Sequence, residues 1–279
     1  MTTATVRPPV PYFGSKQSIA TWITNLLPDH EHYVEPFCGG LSVLFAKQPS
    51  RMETVNDLDG DLMTFWRVLR DRPEELLRAC MLTPHGRAEH EATWEPTEDD
   101  LELARRIWCR LAQGRSGTLR KTGWRHYIDP AGSSTSMPGY LEAYVVRLAA
   151  AAERLRGVSL EALPALTLIG KYGAQPDVLL YVDPPYLGST RGWGRNYRHE
   201  MKADEEHREL AAALADCRAA VVLSGYHSPL YAELYASWHR YEKPATTGNA
   251  KGDRSRTEVL WSNRLLGDQL DLFAGQPAL

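Results

Sequence analysis

The sequence predicts an α/β fold: a largely parallel, Rossmann-like sheet with helices on both faces, plus an inserted, mainly helical subdomain. Three observations carry this. Apolar runs that stop abruptly at Gly, Pro or acidic residues recur at 33–40, 53–57 and 178–186, as expected of strands buried in a parallel sheet. The first two are each followed by apolar residues at helical spacing. Between them and the third, residues 71 to 164 are charged, aromatic and helix-prone around a Gly/Ser/Thr-rich centre. The 279 residues allow one large domain or a core with one sizeable insertion. The expected units are therefore a core of 1–70 and 165–266, an insertion of 71–164 and a tail of 267–279.

Along the chain, Tyr33 to Gly40 reads as a strand running into a glycine loop, and Leu41 to Phe45 as the helix that follows. Glu53 to Asp57 reads as a second strand. Leu58 to Leu69 reads as a helix, because Leu62, Phe65, Trp66 and Leu69 recur with helical period. Leu101 to Leu111 and Leu141 to Leu155 are expected helices flanking the loop-rich centre from Gly114 to Gly139. Leu166 to Ile169 reads as a strand, Val178 to Val182 as a central strand, Ala203 to Cys217 as a helix and Ala219 to Ser224 as a further buried strand.

Composition removes several classes. At 43% hydrophobic and 24% charged residues, the chain is too apolar for wholesale disorder. No apolar run approaches the roughly 18 residues of a membrane helix, and Met1 to Val10 lacks a basic region followed by an apolar one, so a cytoplasmic protein is expected. Cys38, Cys80, Cys109 and Cys217 are scattered and form no Cys-x-x-Cys pair, so neither a metal site nor a disulfide framework is expected. A net charge of -3 argues against a surface coated with basic charge, yet it conceals local clusters.

Open α/β sheets bind ligands beyond the carboxyl ends of their strands, and three such ends here carry unusual residues. The Glu35 to Gly40 loop lets backbone amides approach a ligand, although glycines after a strand also serve simple packing. It is not Gly-x-Gly-x-x-Gly, and Gly14-Ser15-Lys16 is not a phosphate-binding Walker loop. Asp57 is placed either to accept hydrogen bonds from ribose hydroxyls or to cap the helix from Leu58. Asp183-Pro184-Pro185-Tyr186 is the sharpest signal. Its two prolines remove backbone donors, leaving the Asp183 carboxylate and the Pro184 carbonyl as an acceptor pair for an exocyclic amino group, with the Tyr186 ring available to stack on a planar base. The plainer reading of this segment is a turn that ends a strand.

At these residues the sequence resembles the Dam family of S-adenosylmethionine-dependent DNA adenine-N6 methyltransferases, over most of its length. Tyr12-Phe13-Gly14-Ser15-Lys16 is similar to the family's N-terminal element, Glu35-Pro36-Phe37-x-Gly39-Gly40 to its cofactor loop, Asn56-Asp57-Leu58-Asp59 to its acidic turn and Asp183 to Tyr186 to its catalytic tetrapeptide. The resemblance implies a Rossmann-like methyltransferase sheet with target recognition in residues 71 to 164. It implies S-adenosylmethionine held by Tyr12, Phe13, Gly14, Lys16, Glu35, Pro36, Phe37, Gly39, Gly40, Asp57, Leu58 and Asp183. Asp183, Pro184, Pro185 and Tyr186 would serve catalysis on a flipped base in double-stranded DNA. Arg254-x-Arg256-x-Glu258-Val259-Leu260 is similar to the family's closing segment. The sequence departs from the family at Pro11, which replaces a lysine, and at Gly170-Lys171-Tyr172, where relatives often carry Asn and Asp.

Arginines and lysines cluster without acidic residues from Arg105 to His126, where a solvated helix face accounts for Arg105, Arg106 and Arg110. Arg115, Arg120, Lys121 and Arg125 are the expected DNA contacts there, joined by Arg191, Arg195, Arg198, Arg254 and Arg256. Gln269-Leu270-Asp271-Leu272-Phe273 matches the pentapeptide that binds the bacterial sliding clamp; packing of its apolar residues on the core is the other reading. A monomer or weak dimer is expected. Cytosine-N4 or RNA amino methylation, and a catalytically silent DNA- or clamp-binding relative, are the rival readings.

Overall fold

In the computed structural model the described residues are 6–128, 135–187, 198, 200–246 and 255–267, with the side chains of 245, 246, 255 and 256 excepted. The chain forms α1 (Ala20–Leu26), β1 (His32–Glu35), α2 (Ser42–Ala46), β2 (Met52–Asn56) and α3 (Gly60–Asp71). It continues through α4 (Pro73–Leu82), α5 (Arg87–Ala92), α6 (Asp100–Gln113), a 3-10 turn (Arg115–Gly117), α7 (Met137–Val145) and α8 (Leu148–Leu155). Next come β3 (Val158–Glu161), α9 (Ala165–Tyr172), β4 (Val178–Val182), α10 (Asp204–Ala215), β5 (Ala220–Tyr226), α11 (Pro229–Leu234), β6 (His239–Thr246) and β7 (Ser255–Ser262).

The strands form one seven-stranded sheet in the order β3-β2-β1-β4-β5-β7-β6. From β3 to β5 every pairing is parallel, while β7 runs antiparallel to both β5 and β6. Chain order reverses between β1 and β4, where Val34 lies opposite Leu180. At such a switch point the loops leaving adjacent strands diverge to opposite faces and open a crevice.

The apolar run of β4 serves both faces, as its sequence requires. Leu179 and Tyr181 join the core with Trp66, Trp108 and Leu155, whereas Leu180 and Val182 join the one with Leu168, Leu210 and Trp261. Helix α3 buries Leu62, Phe65, Trp66 and Leu69, with the Trp66 ring 4.7 Å from Phe65 and 5.9 Å from Phe45. Among the described residues no helix is long and apolar enough to cross a membrane.

Leu166 to Ile169 is helical in α9, not a strand. An apolar run this short fits either state. Here it follows Pro164, and adjacent Leu168 and Ile169 are both buried while Leu166 stays 41% exposed, a one-sided pattern that a strand's alternation does not give. The expected helix from Leu141 to Leu155 is two helices, α7 and α8. Residues 71–164 are mostly helical, but β3 within them pairs with β2, so the sheet resumes before residue 165.

Candidate active site

The loop after β1 is shaped by what lies against it. Gly39 adopts φ +44°, in the left-handed region where side chains are strained. A Cβ on Gly39 would stand 2.8 Å from Cε1 of Tyr12, and one on Gly40 2.7 Å from its Cβ. The glycines therefore let Tyr12 of the N-terminal motif lie directly on the loop, and two segments remote in sequence form one wall. Trp66 Nε1 donates to the Gly39 carbonyl (3.1 Å) and the Cys38 amide to the Asn56 carbonyl (2.8 Å).

At the end of β2, Asp57 accepts from the amides of Gly39 (3.1 Å) and Asp59 (3.0 Å). The cap of α3 is Asp59, which accepts from the Leu62 amide, so the capping alternative for Asp57 does not hold. Asn56 is wholly buried. Its Nδ2 donates to the carbonyls of Pro36 (2.9 Å) and Leu163 (3.0 Å), and its Oδ1 accepts from the Leu163 amide (2.7 Å). One amide side chain thus ties the end of β1 to the segment entering α9.

Asp183 follows β4 directly. Lys16 Nζ lies 3.0 Å from its Oδ1 and 2.9 Å from Oε1 of Glu258 on β7, and it donates to the Tyr186 hydroxyl. An ammonium has three N–H donors, and these three contacts engage them. Ser224 on β5 donates to the same Oε1 of Glu258 (3.0 Å). Lys16 therefore grips the residue expected to catalyse rather than reaching toward a ligand. The Tyr186 ring packs 4.6 Å from Tyr226 with a 38° tilt.

A cavity of about 380 Å³ lies over the switch point, and every residue expected to hold the cofactor lines it, from Tyr12 through Asp183. Pro185 joins that lining, whereas Pro184 and Tyr186 do not. The sequence reading missed Ser42, Pro164 to Leu166, Met201, Glu206 and Glu209 in the wall. It also left Glu258 without a role. The available signal was a carboxylate heading the apolar run Val259-Leu260-Trp261.

Burial raises the acids of the site. It pushes Glu35 up to about 8, against hydrogen bonds from the Tyr33 hydroxyl and the Leu44 amide. It pushes Asp183 up to about 6, against the pull of Lys16 and with Glu258 adding to the rise. Burial opposes the charge of Lys16, but Asp183 and Glu258 prevail and hold it well above the usual lysine range.

The expected DNA contacts divide. Arg115 is exposed and Arg120 half-buried, but Lys121 pairs with Glu91 (2.8 Å) and Arg125 donates to the Tyr140 hydroxyl (2.6 Å). Arg198 spans Asp59 (3.2 Å), Asp61 (2.6 Å) and the Leu119 carbonyl (3.3 Å) at the cavity rim. Its guanidinium is thus committed to acidic partners in this structure. Arg191, Arg195 and Arg254, the side chain of Arg256, and the clamp peptide Gln269, Leu270, Asp271, Leu272 and Phe273 lie outside the described residues.

Comparison with known proteins now bears on this geometry. Residues 12–99 match the family model described as D12 class N6 adenine-specific DNA methyltransferase. The chain is 27% identical over 278 residues to the type II methyltransferase M1.LlaDCHI of Lactococcus lactis subsp. cremoris, covering 92% of this chain and 95% of that protein. The crystal structure of a precorrin 8W decarboxylase from Methanobacterium thermoautotrophicum aligns over 92% of this chain and 94% of its own, at 9% identity and a TM-score of 0.37, a likeness that carries no argument. The matched region contains the Tyr12 element, the glycine loop and the acidic turn that build one cavity wall, and the relative extends along nearly the whole chain. The family match and the full-length relative together support a DNA adenine methyltransferase of the Dam-like family, in which S-adenosylmethionine is the methyl donor.

Proposed function

We propose that this protein methylates N6 of adenine at a specific site in double-stranded DNA, with the target base flipped out of the helix to meet Asp183, Pro184 and Tyr186. The observation that carries the reading is the junction at β4. The residues expected at the cofactor and the acceptor expected at the base share one cavity at the switch point. The wall fits a nucleoside with a charged tail: Asp57 ends β2 where ribose hydroxyls need an acceptor, and Glu35 offers a buried carboxyl. S-adenosylmethionine supplies an electrophilic methyl group when bound there. Asp183 and the Pro184 carbonyl accept the two N6 hydrogens and aim the nitrogen lone pair at that methyl carbon. With the methyl group so supplied, Asp183 would take the surplus N6 proton and pass it to water.

Tritiated methyl transfer to unmethylated DNA, followed by nucleoside analysis, tests this. Wild type yields N6-methyladenine. Asp183→Ala, which deletes the charged acceptor, loses roughly a hundredfold or more in rate while largely keeping S-adenosylmethionine binding by calorimetry. Near-normal turnover of the variant would refute the assignment, and N4-methylcytosine or labelled RNA would redirect it. The segment Gln269 to Phe273 is proposed to engage a sliding clamp through its Leu272-Phe273 anchor. Deleting it should abolish clamp capture and leave methylation of short duplexes unchanged; undiminished capture would refute that role.

A further inference from the structure

We propose that Glu258 is a positioning residue for the methyl-transfer step: by sharing the Lys16 ammonium, it keeps Asp183 competent to accept the N6 hydrogens. The inference rests on the methyltransferase reading above and goes beyond it, because Glu258 stands behind the cavity wall and outside its lining.

The geometry is a buried array of three charges. Lys16 and Glu258 are 4% and 3% exposed, while the Asp183 side chain, also in the cavity wall, is 19% exposed. A lysine paired with Asp183 alone would cancel its charge and leave a weak acceptor. With Glu258 at 2.9 Å on the other side, the ammonium is divided between two carboxylates and the array keeps a net negative charge. That charge emerges at Asp183, the most exposed member of the array. Ser224 donates to Glu258 Oε1, the atom that Lys16 contacts, and so governs how strongly Glu258 competes for the ammonium.

The other titratable groups facing the array are Tyr181 on β4, Tyr186 in the catalytic turn and Glu35 on β1. Tyr181 stays neutral near pH 7, because burial holds its hydroxyl well above the usual range, and so does not substitute for Glu258. A buried carboxylate without a partner is costly, and the antiparallel pairing of β7 with β5 holds this one at a single point, opposite Tyr226. Its placement serves Lys16.

The test is the pH dependence of single-turnover methyl transfer, where the acid limb reports protonation of Asp183 in the loaded complex. Glu258→Gln concentrates Lys16 on Asp183. Its acid limb should move about one pH unit lower and its plateau rate fall at least about tenfold, with S-adenosylmethionine affinity unchanged. Ser224→Ala, a milder change that protects the test if Glu258→Gln folds poorly, leaves Glu258 leaning harder on Lys16. Its limb should move upward. Opposite shifts support the array, because a purely structural residue would lower rate or stability without moving either limb. Limbs unchanged from wild type, or shifted together, would overturn it. An inactive wild type would instead discredit the methyltransferase reading.

Discussion

Glu35 shows how much one buried side chain controls. The Tyr33 hydroxyl (2.7 Å) and the Leu44 amide (2.9 Å) both donate to its Oε1, and its carboxyl is held up to about 8 by burial. At pH 7 the empty site therefore holds mostly neutral Glu35. If Glu35 holds the cofactor's cationic tail as proposed, that tail favours the carboxylate and binding should expel a proton. Calorimetry at pH 7 in buffers of different ionisation enthalpy should find release approaching about one proton per cofactor. Glu35→Gln should abolish that release and weaken binding about tenfold. A carboxyl raised from 4.5 to about 8 contributes stability below pH 4.5 that is lost as pH rises through 8, so the empty wild type should lose stability relative to Glu35→Gln over that window. Equal proton counts for both proteins would discard this account of Glu35.

Elements explain what the sequence could and could not reveal. β4 was legible because its apolar run stops at Asp183 and two prolines that a helix would not run through, and the Asp183 turn because prolines rewrite backbone hydrogen bonding locally. The glycine loop was half legible. Its glycines were visible, but the reason for them, Tyr12 lying on the loop, joins residues remote in the chain. The same distance hid Glu258, whose partner Lys16 sits at the other end of the sequence. The α6 arginines show a different failure. No acidic residue lies between Arg105 and His126, but Arg105 reaches Glu89 on α5 (2.6 Å), and both Arg105 and Arg106 reach Glu102 one turn earlier. A window that begins at Arg105 counts the cations and misses their anions.

At the scale of the molecule, the cavity and the basic segment are mechanically joined. Two backbone limbs meet as a narrow ladder, with the Arg115 amide donating to Gly123 (3.1 Å) and the Arg125 amide to Gln113 (2.7 Å). Gly117, at φ +60°, packs against Pro11, and its carbonyl accepts from the Phe13 amide (2.8 Å), so the loop is rooted on the motif that walls the cavity. Arg198 adds a second tie, from Leu119 to the cap of α3. This construction sets the exposed arginine proposed to meet DNA apart from those that serve the fold. Arg115 stands exposed at the base of the loop, so Arg115→Ala should weaken DNA binding across sequences and lower its slope against log salt by about 1, without changing thermal stability. Arg110 is buried, donating to the Thr93 carbonyl (3.0 Å) with its guanidinium 4.7 Å from the Trp94 ring centre. Arg110→Ala should cost about 2–3 kcal/mol of stability and leave the salt slope of the surviving folded protein intact. Titrating both variants against duplex DNA at several salt concentrations, beside chemical denaturation, checks the division. An unchanged salt slope for Arg115→Ala would place the DNA on another face of the molecule.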